Sequence, residues 1–266
     1  LGASQVRVGP TSIPLRAIQR DQLLAYLAYA GDWVSREQLL YLFWPDSSPR
    51  AARNNLRQQL LRARALGYAA TLEIEGQRLR WSVATDAAAF AGAVLEGRWQ
   101  DALALYGGPL LEGLEGEAGE FAAWLLLERE RLQRTWRTAL LRRAEELSAQ
   151  GWNLEAAELL QLLLAGDDLD EAALTAYLGA LLRAGARERA LRAYDAFALR
   201  LRDELGLEPT GALQELARGA REGGLSALSG PPQPSAAPAL PTLSTSFIGR
   251  DLELAEVAER LSASSC

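Results

Sequence analysis

The residues best equipped for chemistry lie in one stretch, SSPRAARNNLRQQLLRARAL, from Ser47 to Leu66. Arg50, Arg53, Asn54, Asn55, Arg57, Gln58, Gln59, Arg62 and Arg64 bring positive charge and amide forks, with no acid among them. Arginine can pair two donors with the edge of a guanine, and asparagine or glutamine can do the same for adenine, while further arginines neutralise phosphates. The apolar residues of the stretch are ordered too. Ala52, Leu56, Leu60 and Ala63 recur at spacings of four, four and three, which predicts a helix with one buried stripe and all other faces polar. Ser48 can cap its start, and Pro49 fits the first helical position, where an N–H is dispensable. An ordinary surface helix interleaves both charge signs; this one does not. The pattern suits a helix lying in a DNA major groove, and it also fits a solvated arginine face in a chain that uses arginine for every base.

Other chemistries find little support. The chain has no His and a single Cys, Cys266, so His-based triads, most metal centres and an internal disulfide are excluded. The carboxylate pairs Asp167-Asp168 and Glu145-Glu146 read as solvated helix ends, and Trp99, Trp124, Trp136 and Trp152 as core or hairpin-packing residues. No nucleophile stands beside a base. We therefore expect no enzyme and no cofactor in this stretch of chain. All 28 basic residues are Arg and Met is absent, which reads as the compositional bias of a GC-rich genome and as a piece of a longer protein. The net charge of −6 is unevenly spread. Residues 1–85 hold eleven Arg against six acids, a net +5, so the remainder carries −11. The basic part is the nucleic-acid candidate. No run is long and apolar enough to span a membrane and none resembles a signal peptide, so the expected location is the cytoplasm.

The elements around the basic stretch can be read in order. Val6–Val8 and Ile13–Leu15, about a Gly9-Pro10 turn, predict a hairpin, and a helix should run from about Ile18 to Ala30, ending at Gly31. Ser35 to Gln38 has the spacing of a capping box, opening a second helix that stops near Trp44-Pro45. The basic helix follows and ends at Gly67. Thr71–Glu75 and Arg78–Val83 alternate Leu72, Ile74, Leu79 and Trp81 around Gly76-Gln77, the pattern of a second hairpin. From Asp86 the sequence is almost wholly helical. Ala139, Leu140, Leu147, Gly151 and Ala156 recur, with a period of 34, as Ala173, Leu174, Leu181, Gly185 and Ala190. Such a period predicts tetratricopeptide-like (TPR-like) helical hairpins, and GRWQDALALY at 97–106 looks like an earlier hairpin half.

Strands, three helices and a hairpin in this order make a winged helix. VRVGPTSIPL, VSREQLLYLFWPD, ARNNLRQQLLRARALG and GQRLRW closely resemble the OmpR/PhoB-type winged-helix domain of the SARP (antibiotic regulatory protein) transcriptional activators. AYDAFALRLRDELGLEPTGALQEL, 193–216, resembles the end of the bacterial transcriptional activator domain (BTAD), its usual partner. The resemblance implies a mainly α protein: a winged helix-turn-helix at 1–84 with small β hairpins, then a TPR-like helical domain at 85–222. It implies a sequence-specific regulator, an activator by family habit. The third helix would enter the major groove of double-stranded DNA, a wing arginine, here Arg78, would touch the minor groove, and the loop Trp44, Pro45, Asp46, Ser47 would meet RNA polymerase. Near Ala63–Leu66 the third helix is about a residue shorter than the family pattern. Within that frame Asn54, Arg57 and Gln58, with Leu61 near a thymine methyl, are the expected base readers, and Arg50, Arg53, Arg62 and Arg64 the expected phosphate contacts. A second copy on a direct repeat is the expected helper.

Residues 223–246 are rich in Pro, Ser, Gly and Ala and read as a linker. FIGRDLEL, Phe247–Leu254, then resembles the entry to the nucleotide-binding domain of STAND/AAA-type ATPase regulators, so 247–266 is expected to begin such a domain, with ATP bound further downstream. The competing reading of the whole is a TPR-like adaptor or autoinhibitory module without DNA binding. The two differ in whether the face of Arg53–Arg64 is open to solvent or covered by the acidic helical part.

Overall fold

The computed structural model describes residues 1–116 and 119–222. The expected linker at 223–246 and the expected ATPase entry at 247–266 lie outside the described residues. The chain opens with an antiparallel hairpin, β1 (Gln5–Val8) and β2 (Thr11–Pro14), paired Val6 to Ile13. Helix α1 (Gln19–Ala30) follows and ends at Gly31, whose φ of 64° lets its N–H reach the carbonyl of Leu27. A two-residue strand, β3 (Val34–Ser35), leads into α2 (Arg36–Phe43), and a short loop into α3 (Pro49–Arg64). The hairpin β4 (Glu73–Glu75) and β5 (Arg78–Arg80) closes the unit, with β5 central in a three-stranded sheet of order β3-β5-β4. This is the expected winged helix-turn-helix, with strands shorter than the alternation predicts.

Local sequence explains where these helices start. The Ser48 hydroxyl accepts the Ala51 N–H at α3, and Ser35 accepts the Gln38 N–H at α2. The reciprocal half of the capping box at Ser35 is absent. The Gln38 amide instead donates to the Tyr26 hydroxyl of α1 at 2.7 Å. The buried residues of α3 are Ala52, Leu56, Leu60 and Ala63, the stripe read from the sequence.

Helices fill the remainder: α4 (Asp86–Leu95), α5 (Trp99–Leu105), α6 (Glu120–Ala149), α7 (Asn153–Gly166), α8 (Glu171–Arg183), α9 (Arg187–Leu205) and α10 (Gly211–Glu222). Three of their turns are built alike. Gly97, Gly151 and Gly185 have φ of 69°, 86° and 76°. In each the next N–H reaches back across the turn, Arg98 to the carbonyl of Ala93, Trp152 to Leu147 and Ala186 to Leu181. Five residues after each glycine an alanine, Ala102, Ala156 or Ala190, is buried where the paired helices cross. The repeat of 34 and the earlier hairpin half are thus one design used three times. Two details depart from expectation. Leu147 is only half-buried where its counterpart Leu181 is fully buried, and Trp152, at the N-terminal end of α7, is exposed.

The winged helix and the first helices of the helical half, α4 to α6, share one core. A single hydrophobic cluster runs from Leu23 to Ala139. Phe43 of α2 stacks on Phe121 of α6 at 5.2 Å between centroids, and Trp124 of α6 meets Tyr26 and Tyr29 of α1 edge-on at 4.7 and 5.5 Å. Around this seam the polar groups are satisfied. Buried Gln22 donates to the carbonyl of Leu114 at 3.0 Å, and Arg129 donates to the carbonyls of Leu110 and Leu111 at 2.7 and 2.9 Å. The Gly2 N–H donates to the carbonyl of Pro109, so the start of the chain is tied to the same loop.

Candidate nucleic-acid interface

Packing against α1 and α2 occupies only the alanine–leucine stripe of α3. Arg50, Arg53, Asn54, Arg57, Gln58, Leu61, Arg62 and Arg64 are all exposed, and Asn55 is half-buried at the edge of the stripe. Leu61 is 63% exposed, an apolar side chain standing among arginines, outside the hydrophobic cluster of the described residues. At 3.6 residues per turn, Arg50, Asn54, Arg57 and Leu61 fall on one outward line, and Gln58 lies beside it. Arg53 and Arg64 flank that line on one side and Arg62 on the other. Along the helix start, Arg50, Arg53, Asn54 and Arg57 border a shallow groove with Ser48. The winged helix meets the helical half through α1 and α2, so the acidic half does not cover this face among the described residues.

The charge on the face is uncompensated. Eleven of the fifteen arginines in 86–222 sit in ion pairs with acids, as Arg98 does with Glu96 and Asp101. In residues 1–85 only Arg20, with Asp21, and Arg80, with Glu73, are paired among the described residues. None of the five arginines on α3 has an acid partner there. Left facing water, they keep their full attraction for a polyanion.

The hairpin beside α3 carries two further cations. Arg78 is exposed and lies across the sheet from Ser35 and Glu75. Arg80 is held by Glu73 in a forked pair, at 2.9 Å to one carboxylate oxygen and 3.1 Å to the other. That pairing raises the Arg80 pKa above its usual value. Both guanidinium groups also approach Trp33, a residue that no motif in the sequence singles out. The signal was present: Val34 alternates inward, so Trp33 and Ser35 had to face away from the core.

The loop after α2 is only partly open. Trp44 is buried against Phe43, 5.8 Å between ring centroids, and its N–H closes the end of α2 on the carbonyl of Leu40. An indole spent on the core is not offered to a partner. Pro45, Asp46 and Ser48 are exposed and Ser47 is half-buried. Among the described residues no three His, Cys, Asp or Glu side chains gather to hold a metal. No helix there is long and apolar enough to cross a membrane.

Comparison with known proteins gives a consistent picture. A family model described as the bacterial transcriptional activator domain matches residues 76–221. No curated protein sequence matches the chain. Among solved structures, Mycobacterium tuberculosis EmbR in complex with a low-affinity phosphopeptide is similar, at 20% identity and a TM-score of 0.57. The match spans 84% of this chain and 65% of that one. At that identity the likeness speaks for the fold alone.

Proposed function

The chain belongs to the bacterial transcriptional activator domain family, and on that premise we propose that it is a sequence-specific DNA-binding regulator that reads the major groove with α3. The observation that carries this is the open, ion-pair-free arginine and amide face of α3. The rival reading, an adaptor or autoinhibitory module, is favoured by an acidic half laid over that face; contact through α1 and α2 instead supports the DNA-reading assignment. In this reading residues 1–84 form the DNA-binding domain and 85–222 the helical activator domain. Asn54, Arg57, Gln58 and Leu61 read bases; Arg50, Arg53, Arg62 and Arg64 hold phosphates, with Asn55 at their edge; and Arg78 reaches the minor groove. Pro45, Asp46 and Ser47 are the proposed point of contact with RNA polymerase. The protein would work in the cytoplasm without catalysing a reaction of its own. Its acidic helical half repels DNA, so a second copy on a direct repeat would strengthen a weak single-site complex.

The test is an electrophoretic shift with the DNA upstream of its own gene. The parent protein should retard that fragment, and Arg57→Ala and Arg78→Ala should each weaken the shift, the first with altered sequence preference. If both variants shift the fragment as well as the parent does, the adaptor reading replaces this one.

A further inference from the structure

Of the seven tryptophans, Trp44, Trp81, Trp99, Trp124 and Trp136 belong to the core or pack on it. Trp33 does neither, yet it is half-buried. It stands one residue before β3, where the pairing of Val34 with Leu79 sends those two side chains into the core and leaves Trp33 on the outer side with the β5 arginines. The Arg80 guanidinium carbon lies 4.6 Å from the centre of its ring and that of Arg78 5.9 Å, both within cation–π range. The acids nearby are Asp32, Glu73 and Glu75. Glu73 takes Arg80, whereas Arg78, directly across the sheet from Glu75, makes no ion pair among the described residues.

We propose that Trp33 is a positioning residue for the wing: its indole holds Arg78 away from Glu75 and leaves it as the one wing cation free to enter a DNA minor groove. The inference rests on the DNA-reading assignment above. Three carboxylates surround two guanidinium groups here, so a mobile Arg78 would settle on Glu75 and its charge would be cancelled before DNA arrived. An aromatic face attracts the same cation without neutralising it, and it restricts a side chain that otherwise loses much rotamer freedom on binding. The Glu73–Arg80 pair completes the arrangement by removing the other cation and one of the acids from the competition.

The test has an arm without DNA and an arm with it. In the full chain, the side-chain NMR signals of Arg78 and Arg80 should be shifted by the indole ring current, and Trp33→Leu should abolish the shift. Trp33→Phe should keep part of it. On the DNA fragment upstream of its own gene, Trp33→Leu should weaken binding about two- to five-fold, the factor an exposed cation–π contact supports. Glu75→Gln should restore binding to Trp33→Leu, and Trp33→Leu should add nothing to Arg78→Ala. Absent ring-current shifts overturn the proposal, as does an equal loss from Trp33→Leu with and without Arg78. Should the shifts be present while neither parent nor variants retard any DNA, Trp33 is upheld as the residue that places Arg78 and the DNA reading is what fails.

Discussion

Single side chains on α3 divide into two kinds by what surrounds them. Arg57 shares the outward line with Asn54 and Leu61, whereas Arg53 sits at the flank nearer the buried stripe. Removing a paired base contact costs roughly 1–3 kcal/mol and relaxes preference at one base pair. Removing a phosphate contact weakens binding to all sequences alike and lowers its salt slope by about one unit. Arg57→Ala should therefore change which base is preferred, and Arg53→Ala should change only affinity and its salt dependence; binding titrations over a salt series on cognate and shuffled duplexes separate the two. At the seam between the halves, Tyr29 bonds both Glu128 and Arg131, and its phenol is pushed from 10.0 up to about 12, first by burial and then by the hydrogen bond to Glu128. A raised phenol pKa favours the neutral form in the folded state. Its contribution is complete below the ordinary value near 10 and is lost as pH rises towards 12. Denaturant midpoints should accordingly fall more steeply between those pH values in the parent than in Tyr29→Phe. Equal slopes would show that Tyr29 does not couple the halves to pH.

At the level of elements, the helical hairpins depend on backbone geometry more than on contacts. Gly151 and Gly185 adopt positive φ in otherwise open space, since a β-carbon added at either meets nothing within 4 Å. Their replacement by alanine is a conformational cost with no steric one, about 1–2 kcal/mol each. Gly151→Ala and Gly185→Ala should lower unfolding stability by that amount, and Asn at the same sites, which tolerates the left-handed region better, should cost less. Chemical denaturation of the four variants checks this; alanine costing no more than asparagine would mean that the turns can be closed another way. Gly116 is a different case. With φ of 67° and a β-carbon that would come within 2.5 Å of the Gln22 amide, it permits the loop before α6 to close on α1.

Across the whole molecule, the continuous cluster from Leu23 to Ala139 joins the winged helix to α4, α5 and α6 in one core. Phe43, Phe121, Trp124 and Tyr26 bridge it with rings in direct contact, and Gln22, Arg129 and Gly2 tie the intervening loop to both sides. Units that bury faces only against neighbours unfold with them. Calorimetry on the described span should give one transition, and residues 1–85 and 86–222 made separately should each lose stability. Two transitions in the joined chain, unchanged in the separate pieces, would refute a shared core. α6 packs directly on α1 and α2, the helices against which α3 is seated.

The order of elements, the buried stripe of α3 and the glycine-turn repeat could be read from the sequence because each is local. Apolar spacing along one helix, or a glycine at a fixed offset from an alanine, follows from the geometry of a single element and is independent of what packs elsewhere. The family likeness was legible for the same reason, as contiguous motifs in order. What the residue string could not decide is how faces are shared between elements. Trp44 and Trp152 look alike in sequence, yet one is buried beside Phe43 and the other exposed, since only the path of α2 into α3 and the outer side of the α7 turn determine it. Gln38 completes a capping box on paper and bonds Tyr26 in the fold, because α1 lies close by. Trp33 acquires its arginine neighbours only when β5 pairs between β3 and β4. Whether the basic face of α3 is open or covered was likewise decided by tertiary packing, in which aromatic side chains on α1, α2 and α6 offered the acidic half an apolar seam to bury, and the arginines offered none.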